Sequence, residues 1–157
     1  MKAGTAPETP LQELSIRPAA ARDLPAIAAL DEAVTGEPKP AYWRKLIESA
    51  GRAGAEAPAF LVAEGGGRVI GFIAGNVRAF EFGSRPCGWV FALTVDPASR
   101  DMDAGTRLFE ALCARFKEAG VTKVRTMLDR NNGLVLAFFR SLGLMAGPFI
   151  QLEKDLD

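Results

Sequence analysis

The chain has no histidine and a single tyrosine, Tyr42, among its 157 residues. The first absence excludes histidine-based catalytic triads and zinc sites that need an imidazole, and no metal is expected. Cysteine is scarce as well, with only Cys87 and Cys113. Cys87 follows Pro86 at the entry to an expected strand, and Cys113 falls on the apolar side of an expected helix. Both read as reduced structural thiols, with a redox or nucleophilic role as the alternative. Net charge is missing too, since 19 basic residues face 19 acidic ones. Without a net field there is no general attraction to nucleic acid or to an anionic membrane, and neither is expected as a partner. No apolar run is long enough to span a bilayer, and Met1 to Pro10 lacks the apolar centre of a signal peptide. A cytoplasmic location is the expectation.

What is present is ordinary for a globular domain: 48% hydrophobic and 24% charged residues. The length suits one domain able to bury a core unaided. Residues 1–12, rich in Pro, Thr and Glu, are expected to form a flexible tail and residues 13–157 the domain. Leu14-Ser15-Ile16-Arg17 alternates as a half-buried strand does, and Pro18 ends it. Asp23 is placed to N-cap a helix carrying Leu24, Ile27, Leu30 and Val34, with Pro25 tolerated in its first turn. After a break at Gly36 to Pro40, Tyr42 to Ser49 puts Trp43, Leu46 and Ile47 on one helical face.

A hairpin follows, from Phe60 to Glu64 and Val69 to Arg78 around Gly65-Gly66-Gly67. A linker with Glu81, Gly83 and Pro86 leads to a strand over Gly88 to Val95. Leu108, Phe109, Leu112, Cys113 and Phe116 form the apolar stripe of a helix closed by Gly120. Val121 to Leu128 reads as a strand, Leu134 to Leu142 as a short helix, and Phe149 to Leu156 as a last strand. The order β-α-α-β-β-β-α-β-α-β implies an α/β fold, a mixed sheet with helices on both faces.

One stretch points to a ligand. Val95-Asp96-Pro97-Ala98-Ser99-Arg100-Asp101-Met102-Asp103-Ala104-Gly105-Thr106 runs from a strand through a polar loop into an amphipathic helix, with small residues at the helix mouth. Such a mouth presents free backbone N–H groups to an anion. The stretch resembles the signature of the GNAT N-acetyltransferase superfamily, Arg/Gln-x-x-Gly-x-Gly/Ala ahead of a helix. The resemblance extends from Leu14 to Leu156. It includes Ile16-Arg17-Pro18 before the Asp23-Leu24 helix, Phe60 to Glu64 followed by Val69-Ile70-Gly71-Phe72, and Asn132 through Gly143.

The resemblance implies a single-domain GNAT-like acyl-CoA N-acyltransferase fold with acetyl-CoA as cosubstrate. The fourth strand would bulge and splay from the fifth, and the pantetheine arm would lie in the gap as an added strand. Leu93, Thr94 and Val95 would line that gap, with the Leu93 N–H polarising the thioester carbonyl. Arg100, Asp103, Ala104, Gly105 and Thr106 would receive the pyrophosphate, and Asn132 and Phe139 would lie near the CoA arm. Asp103 stands where the family usually has its first glycine. Aspartate tolerates the positive φ required there, but its charge opposes a phosphate, and Arg107 one turn on is a candidate to offset it. Capping the following helix is the competing role for Asp103.

The family's usual proton carriers are a glutamate on the fourth strand and a tyrosine in the last helix. Here those positions are Phe91 and Phe139. Candidate replacements are Asp129, Glu81 and Tyr42. Two functional readings follow: direct acetyl transfer to an amine of a small molecule or a protein lysine, or an acyl-CoA-binding sensor or docking module without catalysis. A third keeps only the fold and makes the chain an interaction protein. Two phenylalanines near the thioester imply a small or apolar acyl group. Gly147 to Leu156 is accounted for either by a homodimer or by an edge strand within one subunit.

Overall fold

A computed structural model describes residues 13–54 and 57–157; the tail expected over residues 1–12 lies outside them. Five strands form one sheet in the order β1 (Leu14–Pro18), β2 (Ala59–Gly65), β3 (Arg68–Arg78), β4 (Cys87–Val95) and β5 (Val124–Thr126). Neighbours are antiparallel except β4 and β5, which are parallel. A parallel pair needs a crossover, and α3 (Ala104–Glu118) supplies it. The helices α1 (Leu24–Thr35) and α2 (Pro40–Ala50) connect β1 to β2, and α4 (Gly133–Ser141) follows β5.

The sheet is covered on both faces, as the element order implies. Leu61 and Ile73 pack with Leu108, Leu112 and Phe116 of α3 and Phe139 of α4. On the other face Phe60, Val62 and Phe72 pack with Ile27 of α1 and Trp43 and Ile47 of α2. Burial on both faces explains why β2 and β3 read as nearly continuous apolar runs. The turn between them uses Gly66 (φ 61°) and Gly67 (φ 76°), a pair of positive angles that matches the twist of a two-residue hairpin.

Asp23 stands at the N-cap position of α1, but its carboxylate bonds no amide of that helix. It accepts from the Ala20 N–H at 2.7 Å and from both terminal nitrogens of Arg17 at 2.8 Å. Arg17 Nε donates to Glu64 at 2.8 Å, so one guanidinium joins β1, β2 and the start of α1. That guanidinium holds the nearly buried Asp23 carboxyl below the ordinary carboxylate range.

Two expected strands differ from the structure. The fifth is three residues long rather than Val121 to Leu128. Val121 is taken up in closing α3, its N–H bonding the Phe116 carbonyl, and β4 turns away from β5 after Val90. The last expected strand, Phe149 to Leu156, is not a strand. Alternating side chains specify two faces, but a strand also needs a neighbour's backbone. The described chain pairs nothing with this segment, and Ile150, Leu152 and Leu156 stay 85%, 85% and 90% exposed. Among the described residues no helix is long and apolar enough to cross a membrane.

Candidate active site

The middle of β4 is irregular. Ala92 faces Ala74 and Val90 faces Gly75 across the β3–β4 pair, so Phe91 opposes no residue and forms a bulge. A Cβ on Gly75 would lie 2.5 Å from the Trp89 carbonyl, so the two backbones meet this closely only because the residue is glycine. Pairing with β5 ends at Val90–Thr126, one residue before the bulge. From Phe91 to Val95, β4 is therefore bonded to β3 alone among the described residues. Leu93, Thr94 and Val95 are half-buried along this one-sided edge, and Phe91 is exposed. The bulge and the parting expected for the fourth strand are both present.

That edge runs directly into the loop before α3. Asp96 accepts from the Ala98 N–H at 3.0 Å and starts a 3-10 segment, Pro97–Met102. Asp103 follows with φ 60° and ψ 25°, the left-handed conformation that aspartate adopts more readily than most residues. Its side chain bonds no first-turn amide, so it occupies the N-cap position without capping α3. Ala104 is buried, while Gly105 and Thr106 are half-buried. Arg100 belongs to the 3-10 segment, but its side chain lies outside the described part. Arg107 donates to the Leu14 carbonyl at 2.8 Å and ties α3 to β1.

Three further residues hold this loop, and sequence reasoning singled out none of them. Arg68, at the start of β3, reaches Asp96 at 3.2 Å and the buried Ser99 hydroxyl at 3.4 Å. The Asp96 N–H bonds the Ile70 carbonyl at 2.7 Å. The Asp96-Pro97 pair, a turn initiator, was the available signal for Asp96. Nothing local marks Arg68, because its partner is 28 residues away.

Helix α4 meets the same loop. A Cβ on Gly105 would stand 3.2 Å from the Phe138 ring, so a larger residue would press on α4. Asn132 accepts from the Val135 N–H at 3.2 Å and caps α4. Phe139 is 6% exposed, its ring edge-on to Phe109 and Phe138 at 6.1 and 5.2 Å. The exposed Asp129 accepts from the Asn131 N–H at 2.8 Å and shapes the turn into α4. Tyr42 and Glu81 stand apart from this assembly. Tyr42 is a half-exposed ring on α2, across the sheet from α3, set against Trp43 at 4.8 Å. Glu81, in the β3–β4 linker, pairs with Arg78 at 2.9 Å. Burial pushes the Cys113 thiol up, the setting of a structural residue; Cys87 is buried, its Sγ accepting from Arg125 at 3.6 Å. Among the described residues no three His, Cys, Asp or Glu side chains are grouped to hold a metal.

A one-sided strand edge leading to a helix mouth without a side-chain cap fits an extended arm that ends in an anion. The profile of the Acetyltransferase (GNAT) family matches residues 24–144, more than half of the chain. L-2,4-diaminobutyric acid acetyltransferase of Nocardia farcinica (strain IFM 10152) is 32% identical over 95 residues, 60% of this chain and 47% of that protein. Mycothiol acetyltransferase of Sanguibacter keddieii is 32% identical over 104 residues, 65% of this chain and 33% of that protein. The matches thus span about half the length of the first curated relative and a third of the second. In fold, the aminoglycoside N-acetyltransferase AAC(6')-Iy in complex with CoA superimposes with a TM-score of 0.80 at 17% identity, covering 96% of this chain and 99% of that one. By its profile match and by its sheet, with the parting beside a bulged fourth strand, the chain belongs to the Acetyltransferase (GNAT) family.

Proposed function

We propose that the protein is an acetyl-CoA-dependent N-acetyltransferase that passes acetyl directly to an amine. The observation that carries this reading is the free edge of β4 beyond Val90, continuous with the uncapped mouth of α3. Bound acetyl-CoA supplies the acetyl group as a thioester. The main chain of Leu93, Thr94 and Val95 holds the arm, and the Leu93 N–H polarises the thioester carbonyl. A fixed donor at a developing oxyanion is worth about 3–4 kcal/mol. The amides of Ala104, Gly105 and Thr106 receive the pyrophosphate at the positive end of the α3 dipole, with Arg100 as a further partner. Asn132, which caps α4, and Phe139, which packs α4 on α3, lie near the arm.

Neither Phe91 nor Phe139 can move a proton. Asp129, just past β5, is the residue we assign to accept the amine proton; Tyr42, across the sheet, is the less favourably placed candidate. With so little proton-transfer machinery the acceptor matters. A lysine amine of pKa near 10.4 must give up its proton at a cost of about 4.6 kcal/mol at pH 7, against about 1–1.4 kcal/mol for an α-amine. A weakly basic amine is therefore the favoured acceptor. The relatives' names, a diaminobutyric acid acetyltransferase and an aminoglycoside acetyltransferase, support a small amino compound over a protein lysine. Dependence on acetyl-CoA goes with a cytoplasmic location.

Calorimetric titration with acetyl-CoA, followed by turnover assays over amines of graded pKa, tests the reading. Micromolar binding, about −8 kcal/mol, and rates that rise as acceptor pKa falls are expected. Absence of binding would refute it. Binding without turnover on any amine would leave a cofactor-binding module and remove the catalytic claim.

A further inference from the structure

On the face of the sheet that α1 and α2 cover, Phe72 and Ala74 of β3 and Ala92 of β4 pack beneath those helices. The two-residue period of a strand carries Asn76 and Arg78 onto the same face, and Trp89 stands opposite Asn76 in the β3–β4 register. Trp89 is half-buried yet belongs to neither apolar core. Its ring is covered instead by the guanidinium of Arg78, 4.8 Å from the centroid. Beside it, Asn76 Oδ1 is buried and accepts no hydrogen bond among the described residues. A buried acceptor left in this way is completed by a donor from outside the chain.

The ion pair at this place leaves one end of the guanidinium open. Arg78 Nε lies 2.9 and 3.1 Å from the two Glu81 oxygens, while its terminal nitrogens bond nothing among the described residues. Glu81 is held there by a strained turn. Its neighbours Phe80 and Phe82 have positive φ (60° and 52°), a costly conformation for an aromatic residue. Both rings are exposed, so packing does not account for the strain, and what the turn fixes is the Glu81 carboxylate beside the guanidinium. Two coplanar N–H groups match a carboxylate. Glu81 and Asn76 Oδ1, acceptors alongside, match an ammonium. Together they are complementary to the zwitterionic head of an α-amino acid.

We propose, resting on the acetyl-transfer reading above, that the acceptor is an α-amino acid carrying a second amine. Its carboxylate lies on Arg78 over Trp89, its α-ammonium on Glu81 and Asn76, and its second amine reaches the bulged half of β4. Leu93 pairs with Ile73, three residues along β3 from Asn76. Head and Leu93 N–H therefore stand about 10 Å apart, at about 3.3 Å per residue. A side chain of about three or four methylenes, with a contact at each end, bridges that distance. An α-ammonium on the same molecule also lowers the pKa of the second amine, which suits a site short of proton carriers. A diamine without the carboxylate would set a cation against Arg78.

Matched acceptors test this, since ornithine and putrescine, like lysine and cadaverine, differ only by the carboxylate. Calorimetry on the full chain reads their binding, and steady-state kinetics separate KM from kcat. The amino acid of each pair is expected to bind about tenfold or more tightly than its diamine. Arg78→Gln, at an exposed position, should raise KM for the amino acids about tenfold, change kcat less than about twofold, and erase the difference within each pair. Arg78→Lys should restore part of it. Binding of none of the four, equal binding within the pairs, or a preference that survives Arg78→Gln would overturn the proposal. Calorimetric binding of the amino acid needs no turnover. An amino acid that binds to a chain unable to bind acetyl-CoA would therefore keep this site and refute the acetyl-transfer reading alone.

Discussion

Arg107 lies one helical turn beyond Asp103, yet its guanidinium donates to the Leu14 carbonyl at 2.8 Å and makes no ion pair with the Asp103 carboxylate. Expected from the sequence as a counter-charge, Arg107 serves instead as a clamp between α3 and β1. The Asp103 carboxylate thus lies at the exposed helix mouth, on a left-handed residue, without Arg107 as its partner.

Replacing Asp103 by glycine removes the charge and suits the φ of 60°. At about 6 Å and an effective dielectric of about 20, one carboxylate–phosphate pair costs about 3 kcal/mol, less where solvent reaches it. Acetyl-CoA is expected to bind Asp103→Gly about tenfold more tightly, a gain of about 1.4 kcal/mol measured by calorimetry. Equal affinity would show that the carboxylate does not face the phosphate.

Arg68→Ala should separate loop positioning from stability. The Arg68–Asp96 pair is largely solvated on the arginine side, so its loss should change unfolding free energy by less than about 1 kcal/mol. The loop before α3 loses its side-chain tie to β3, however, keeping only the Asp96–Ile70 backbone bond, and acetyl-CoA affinity should fall severalfold. A large loss of stability with unchanged affinity would reverse this assignment.

Acid should loosen the junction of β1, β2 and α1. Hydrogen bonding to Arg17 lowers the Asp23 pKa in the folded state below its ordinary value of 3.8. Its stabilising contribution is thus complete above that value and is lost as pH falls through the lower folded pKa. Urea midpoints measured down the acid range should drop for the wild type. Asp23→Asn should be less stable near neutrality by about 3 kcal/mol, since an almost buried partner is removed from a guanidinium that is itself partly solvated. Its acid slope should also be shallower.

Gly88→Ala tests the contact between β4 and α3. The added methyl would sit 2.3–2.6 Å from the Phe116 ring, a position no real Cβ occupies, so α3 must shift. A loss of about 1–3 kcal/mol is expected in denaturant unfolding. Phe116→Leu, damaging alone, should recover part of that loss when combined with it.

Periodicity made most of the fold legible. The stripe from Leu108 to Phe116 marked α3, the glycine triplet marked the hairpin, and the element order implied helices on both faces. Positions that depend on distant partners were not legible. Phe149 to Leu156 alternates as a strand does, but no periodicity reports whether a neighbouring edge exists within the same chain. Arg68 has no local mark, because its partners Asp96 and Ser99 are far along the sequence. Asp23 was read at the right position for a cap, while the bond it makes depends on Arg17 and Glu64 of two strands. At the site, the left-handed Asp103 followed from the loop's resemblance to a glycine-containing motif. The course of Arg107 did not, because a helical spacing to Asp103 says nothing of the Leu14 carbonyl on another element.

The one-residue bulge at Phe91 changes what β4 is along its own length: an interior strand up to Val90 and an edge strand beyond it. Whatever lies along that second half completes the sheet, and so becomes an element of the fold as well as its cargo. Any molecule that binds only the native state adds to stability as RT ln(1 + [L]/Kd). The protein's resistance to unfolding would then rise and fall with the supply of that molecule, and its lifetime in a cell would carry a record of metabolic state.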